Sequence, residues 1–234
     1  MSAFRVTGPA PGEAETSSLS PSSSSFDPIV NALAAEGFAV VPHFLDPALV
    51  RALREESAAL REEGAFRRAA VGRGTARKRR AEIRSDRIFW LEVPRLTPAQ
   101  AAYWGRMEGL RLELNRALFL GLFELEAHLA CYPEGAFYLP HLDRHTGSQA
   151  RVVSVIAYLN DDWREADGGQ LRLYTDRRAG IEGPFRDFLP EAGTLAVFLS
   201  AEFWHEVLPA RRERHSLTGW FRRRGEEPVP VAFE

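Results

Sequence analysis

Cysteine is nearly missing from this 234-residue chain. Cys131 stands alone, which excludes an internal disulfide and a cysteine-built zinc cage and agrees with a reducing compartment. Long apolar runs are missing as well. Nothing approaches the roughly 18 consecutive apolar residues of a membrane-crossing helix, and the opening MSAFRVTGPAPGEAE lacks the apolar centre of a secretory leader. A cytoplasmic protein with no membrane attachment is expected. Charge of one sign is equally scarce, since 30 Lys and Arg meet 32 Asp and Glu for a net charge of −2. The overall balance therefore points neither toward nucleic acid nor away from it. What the chain does have is 45% hydrophobic residues, enough for one good core, and a length that favours one domain. None of this fixes an oligomeric state.

Residues 7–25 are rich in Ser, Pro and Gly and poor in large apolar groups, so residues 1–25 are expected to form a disordered tail. A single domain over 26–234, with its catalytic core at about 125–224, follows. Ile29, Leu33 and Phe38 open a helical segment that runs into a strand-like GFAVVPHF. Asp46 as N-cap, Pro47 in the first turn, Leu49, Leu53 and Leu60 on one face and Gly64 as the stop predict a second helix. Thr97-Pro98-Ala99-Gln100 has the form of a capping box, and the helix it starts is predicted to continue through Leu110, Leu114 and Leu118 to about Leu125, with or without a break. The period then switches to two, and 151–159, 170–175, 193–199 and 214–222 read as strands between Gly, Asp and Pro turns. Helices followed by several short strands suggest a barrel or jelly roll. The basic stretch at 67–87 reads as a solvated loop, a lid, or a docking patch for an acidic partner. Nucleic acid ranks last there, because no aromatics are interleaved with the charges.

The chemistry concentrates at His141, Asp143, His205 and Arg214. In an extended segment His141 and Asp143 share a face and can reach one ion. Two imidazoles and one carboxylate make a facial triad that leaves adjacent metal positions open. Iron(II) or manganese suits such ligands better than copper(I), while zinc, with three ligands and an open site, also fits. Arg214 separates these readings. Alternation puts Arg214, Ser216, Thr218 and Trp220 on one unusually polar face of the last strand, with His215, Leu217, Gly219 and Phe221 on the other. A buried arginine without a carboxylate in the protein is costly, and a bound dicarboxylate such as 2-oxoglutarate removes that cost through a bidentate pair. Thr218 and the Tyr158 hydroxyl can add hydrogen bonds to the same carboxylate. His145 and His215 read as loop or outward-facing residues rather than a fourth ligand, and Cys131 as a small core residue. Tyr132 and Tyr138 flank the approach to His141.

The segments CYPEGAFYLPHLD, YLNDDW, DGGQLRLY and HEVLPARRERHSLTGWF resemble the prolyl 4-hydroxylase branch of the Fe(II)/2-oxoglutarate oxygenases, and in particular bacterial homologues of the hypoxia-inducible-factor prolyl hydroxylases. The resemblance covers roughly 27–224. It implies a mainly β fold with packed helices, a double-stranded β-helix of jelly-roll type with the N-terminal helices against one sheet. It also implies that His141, Asp143 and His205 bind Fe(II), that Arg214 and Tyr158 hold the distal carboxylate of 2-oxoglutarate, and that Tyr132, Leu171, Thr218 and Trp220 line the co-substrate pocket. RSDRIFWLE, with Arg84, Asp86 and Trp90, matches the end of the family's substrate-closing loop, and Tyr138 joins these as a substrate candidate. The implied function is O2-dependent hydroxylation of a prolyl residue in a protein partner, with a translation factor such as elongation factor Tu as a target, release of succinate and CO2, and ascorbate as an accessory reductant. The alternatives are a hydroxylase of another residue or of a small molecule, and a non-catalytic 2-oxoglutarate-binding module.

Overall fold

The computed structural model describes residues 25–69, 82–143 and 150–224. The tail up to residue 24, the middle of the basic stretch and His145 lie outside the described residues. Among the described residues three α-helices lie within 27–118, with three short strands between them. α1 (Asp27–Ala35) buries Ile29, Val30 and Leu33. Phe38 falls beyond it, in β1 (Phe38–Val41). α2 (Pro47–Glu62) starts where the Asp46 carboxylate accepts a 2.8 Å bond from the Ala48 amide. α3 (Pro98–Leu118) starts at a true capping box, in which Thr97 Oγ1 accepts from the Gln100 amide and the Gln100 side chain accepts from the Thr97 amide. Thr97 and Gln100 also donate to Glu56 on α2, which joins the two helices near the start of α3.

The third helix does not run to Leu125. It stops at Leu118, because Phe119 takes a left-handed conformation with φ of 54°, and β4 (Leu122–Tyr132) begins directly after Gly121. The other strands are β2 (Arg67–Arg68), β3 (Arg87–Trp90), β5 (Tyr138–His141), β6 (Arg151–Tyr158), β7 (Leu171–Tyr174), β8 (Phe185–Phe188), β9 (Leu195–Leu199), β10 (His205–Val207) and β11 (Arg214–Arg223). They form a seven-stranded sheet of order β1-β9-β6-β11-β4-β3-β2 and a four-stranded sheet of order β5-β10-β7-β8, antiparallel throughout.

Strand alternation gives the large sheet two different faces. Leu129 and Cys131 on β4, Val153, Val155 and Ala157 on β6, Leu195 and Val197 on β9, and Leu217 and Phe221 on β11 pack against Leu33, Leu53, Tyr103, Met107, Leu110 and Leu114 of the helices. Each fully buried aliphatic side chain here contributes about 1.5–3 kcal/mol, which fixes the register of these strands. The opposite face turns to the small sheet. Ile156, Tyr158, Ala196 and Phe198 there meet Leu171, Leu173 and Phe203 in a second core. The inner face also carries the polar residues of β11, and that is where the chemistry lies.

Candidate metal and co-substrate site

His141 ends β5 and pairs in register with His205, the first residue of β10. The small sheet thus sets the two imidazoles side by side, with ring centroids 4.1 Å apart. Both rings are oriented by the backbone: His141 Nδ1 lies 2.8 Å from the Leu139 carbonyl and His205 Nδ1 3.1 Å from the Phe203 carbonyl. A carbonyl can only accept, so each Nδ1 carries a proton and each Nε2 is the ring nitrogen turned toward Asp143. Those Nε2 atoms stand 3.7 and 3.4 Å from the two oxygens of Asp143. The ligand atoms of all three residues lie within 4.8 Å of one another.

Asp143 is placed by the large sheet. Ser154 on β6 donates a 2.7 Å hydrogen bond to Asp143 Oδ2, Ser200 lies 2.9 Å from the Ser154 hydroxyl, and the Asp143 amide donates to the Ser200 carbonyl. Burial opposes ionisation of Asp143, but His205, His141, Arg151 and the Ser154 bond outweigh it and hold the carboxyl below its usual range. Burial, with His205 beside it, pushes His141 down to about 3, so the ring is neutral at physiological pH. A neutral His141 and an ionised Asp143 are protonation states that a divalent metal requires.

Arg214 opens β11 on the inner face and is 1% exposed. Its Nε donates to the Gly169 carbonyl at 2.9 Å, and its guanidinium lies 5.0 Å from the Tyr132 ring and 5.1 Å from the Tyr158 ring. Among the described residues no carboxylate pairs with it, and the buried Tyr158 hydroxyl has no hydrogen-bond partner. Burial pushes that phenol up to about 12 against the pull of Arg214, so the hydroxyl remains a donor. An unpaired buried cation next to an orphaned hydroxyl fits one carboxylate of a bound acid. The Gly168-Gly169 pair lets the chain pass close beside Arg214: both have positive φ, and a Cβ on Gly168 would stand 2.3 Å from the Pro209 carbonyl oxygen while one on Gly169 would press on Arg214 Cδ at 3.1 Å.

The remaining predicted residues line the same inner face or its rim. Tyr132 is opposite Arg214 in the β4–β11 register, Thr218 and Trp220 follow Arg214 on the inner face, and Leu171 lies in the inner core beside Tyr158. Arg84 forms a bidentate pair with Asp86 at 2.7 and 2.6 Å and lies over the Tyr138 ring, which stacks on His141 at 3.5 Å. Trp90 meets His128 at 4.8 Å. His215, expected to be an outward-facing residue, does face away from the metal ligands yet is fully buried under α2. It bonds Ser57 and Glu213, and Glu213 in turn pairs with Arg61, so this second Cys131–Glu213–His215 group is already satisfied by protein partners. Cys131 is buried and its thiol pushed up to about 12, as befits a core residue. Sequence reasoning missed Ser154, Ser200, Arg151 and His128. Ser154 had a weak signal, being the one serine within a largely apolar strand run whose other hydroxyl is that of Tyr158.

The 2OG-Fe(II) oxygenase superfamily matches residues 127–222. A crystal structure of a Pseudomonas putida prolyl-4-hydroxylase superposes with a TM-score of 0.75 at 46% identity, covering 84% of this chain and 98% of that one. The chain belongs to the 2OG-Fe(II) oxygenase superfamily. Its two facing sheets are the double-stranded β-helix of that family, with the helices on the outer face of the larger sheet. Among oxygenase relatives, Egl nine homolog 1 of Homo sapiens is 30% identical over 203 residues, covering 82% of this chain and 45% of that protein. The rat homologue is covered to 57%, so the chain spans about half the length of the curated relatives it matches. A Trichoplax adhaerens prolyl hydroxylase, solved with a hypoxia-inducible-factor peptide, superposes with a TM-score of 0.73 at 27% identity, covering 84% of this chain and 88% of that one. Prolyl hydroxylases are thus similar to this oxygenase in both sequence and structure. The family implies Fe(II), 2-oxoglutarate and O2, and the His-Asp-His cluster is a fitting site for the metal. Among the described residues, no helix is long and apolar enough to cross a membrane.

Proposed function

We propose that the chain is an Fe(II)- and 2-oxoglutarate-dependent dioxygenase of the cytoplasm that hydroxylates a prolyl residue in a protein, with release of succinate and CO2. The observation that carries this reading is Arg214, a guanidinium buried between the sheets beside Tyr158 and, among the described residues, without a carboxylate partner, in a fold that also gathers three metal-competent side chains. His141 and His205 would supply Nε2 atoms to Fe(II), and Asp143 one carboxylate oxygen. Arg214 and Tyr158 would hold the distal carboxylate of 2-oxoglutarate, with Tyr132, Thr218, Leu171 and Trp220 lining that pocket. Iron, 2-oxoglutarate and O2 would together supply the oxidising power for attack on a C–H bond, one oxygen atom going to the substrate and the other to succinate; ascorbate would keep the metal ferrous. The chain's own residues orient these groups. Leu139 and Phe203 carbonyls fix the imidazoles, Ser154 fixes the carboxylate, and the inner core around Phe198, Phe203 and Leu173 keeps bulk water away from one flank.

The prolyl reading is supported by the prolyl hydroxylases of Pseudomonas putida and Trichoplax adhaerens, the second solved with a peptide. Arg84, Asp86, Trp90 and Tyr138 are the candidate substrate contacts on the rim beside His141. Elongation factor Tu is the target we would test first. Incubated with the chain, Fe(II), 2-oxoglutarate and ascorbate, it is expected to gain the mass of one oxygen on a prolyl residue, read by peptide mass spectrometry. A gain on another residue, or on a small molecule, would replace the prolyl assignment. No succinate and no product with any host-lysate substrate would leave the binding module.

A further inference from the structure

β6 leaves the large sheet just before it reaches the residue that most needs holding. Its ladder with β11 ends where Tyr158 faces Ser216, and that register, continued by two residues, would set Asn160 opposite Arg214. On the other flank β4 accompanies β11 to the end, with Tyr132 opposite Arg214. His215, between Arg214 and Ser216, is fully buried, and its backbone amide and carbonyl point to the flank that β6 has left. Buried backbone groups in that position need partners.

Asn160 supplies them with its side chain. Its Oδ1 accepts from the His215 amide at 2.6 Å, and its Nδ2 donates to the His215 carbonyl at 3.0 Å and to the Pro190 carbonyl at 2.8 Å. A carboxamide offers one acceptor and a pair of donors, so it can stand in for the edge of a strand. The Leu159 amide shares the His215 carbonyl at 3.2 Å, and Arg54 approaches Oδ1 at 3.5 Å from α2. Asn160 is only 2% exposed, so water is a poor substitute for these bonds. Its own carbonyl accepts from the Ala192 amide at 2.9 Å, beside the bonds that tie the Tyr158 backbone to Gly193 and Thr194. One residue therefore braces Tyr158 along the chain and Arg214 across the sheet.

Those are the two side chains assigned to the distal carboxylate, and charge-assisted pairs of this kind depend on direction as well as distance. With the keto-acid end held at the metal, the place of the guanidinium also measures the length of the acid. We propose that Asn160 is a positioning residue for the co-substrate, its carboxamide replacing a strand beside His215 and so holding the Arg214 guanidinium and the Tyr158 hydroxyl at the spacing that fits 2-oxoglutarate. This role rests on the reading of the pocket as a 2-oxoglutarate site.

Calorimetric titration of the full chain loaded with Mn(II) reads keto-acid affinity without turnover. The wild-type chain is expected to prefer 2-oxoglutarate over 2-oxoadipate, one methylene longer, by roughly 10–200-fold, the range for one methylene in a fitted pocket. Asn160→Ala is expected to weaken 2-oxoglutarate about five-fold, the value of one neutral hydrogen bond, to narrow the preference over 2-oxoadipate by a similar factor, and to leave Mn(II) affinity unchanged. Asn160→Asp keeps the acceptor for the His215 amide but sets a carboxylate against two carbonyls, and is expected to show the same selective loss at smaller size. Ile29→Val, which trims the core under α1, is the control for stability alone: its urea midpoint is expected to fall with no change for either acid. Unchanged 2-oxoglutarate affinity in Asn160→Ala, or equal losses for both acids and Mn(II), would overturn the role. Should the alanine variant not fold, an aspartate variant that binds both acids as the wild type does would overturn it as well. A wild-type chain that binds no 2-oxoglutarate would overturn the reading of the pocket and this role with it.

Discussion

At Arg214 the cost of burying an unpaired charge becomes a statement about affinity. Two charge-assisted hydrogen bonds to a carboxylate are worth roughly 1.5–3 kcal/mol each, so Arg214→Ala is expected to raise the KM for 2-oxoglutarate on the order of 100-fold or more while metal affinity changes little. Steady-state succinate formation at varied 2-oxoglutarate, beside a metal titration, separates the two, and an unchanged KM would remove Arg214 from the anchor. The opposite split is expected at Ser154. Its hydroxyl orients Asp143 Oδ2 at 2.7 Å, and Ser154→Ala is expected to weaken metal binding by about 10–100-fold, as loss of a group that orients a ligand does. On the proposed ligand set, His205→Ala is expected to abolish iron-dependent turnover. The contrast between these residues explains what was readable beforehand. His141, Asp143, His205, Arg214 and Tyr158 stood out because such side chains, largely buried together between two sheets, are costly without a ligand. Ser154 and Ser200 serve through short hydrogen bonds to Asp143 and to each other, and a lone serine in an apolar strand is too common a signal to assign such a role.

β4 shows where element-level reading failed, and why His128 was missed with it. Leu114, Leu118, Leu122, Leu125 and Leu129 recur at helical spacing, and Leu, Glu and Ala favour helices. Propensity lost to tertiary context: Phe119 and Gly121 turn the chain, and β4 then fills the gap between β3 and β11 in the large sheet. α2 was legible from its cap and stripe, yet its tie to the sheet was not. Ser57 on α2 bonds His215 Nδ1 at 2.8 Å, His215 Nε2 lies 2.7 Å from Glu213, and Arg61 closes the circuit on Glu213. Through His215 this clamp holds the residue next to Arg214, so it positions the anchor from behind. Ser57→Ala is expected to cost about 1 kcal/mol of stability, read as a lowered urea midpoint at unchanged slope. Burial, with Arg54 close by, pushes His215 down to about 4 from an ordinary 6.5. The unfolded chain therefore binds this proton more readily than the folded one. Stability from this group is complete above about pH 6.5 and drains away as pH falls toward 4, by roughly 3 kcal/mol in total. Urea midpoints measured at pH 7 and pH 5 are expected to differ less in His215→Gln than in the wild type; an equal difference would place the acid sensitivity elsewhere.

The assembled molecule divides the labour between its sheets in a way no single segment announces. The small sheet supplies both imidazoles, the large sheet supplies Arg214 and Tyr158, and Asp143 is tied to the large sheet through Ser154 and Ser200. That the helices precede most of the strands was readable from the order of periodicities, although β1, β2 and β3 lie before α3; the strand order was not, because it is set by which apolar faces meet after the chain has folded back several times. A consequence is that ligands bridge the two sheets. Whatever binds only the folded state stabilises it by mass action, about 2.7 kcal/mol at one hundred times the dissociation constant. For a domain of this size that corresponds to a rise in Tm of about 5–10 °C. Mn(II), used as a redox-stable substitute for Fe(II), is expected to give one such rise by joining His141 and His205 to Asp143, and 2-oxoglutarate added afterwards a second by joining Arg214 to that metal. Arg214→Ala is expected to keep the first increment and lose the second, while His205→Ala loses the first and, without a metal to receive the keto-acid, most of the second. Two increments that disappear together in Arg214→Ala would mean that the guanidinium supports the metal ligands rather than the co-substrate, and the anchor would have to be sought elsewhere on the inner face.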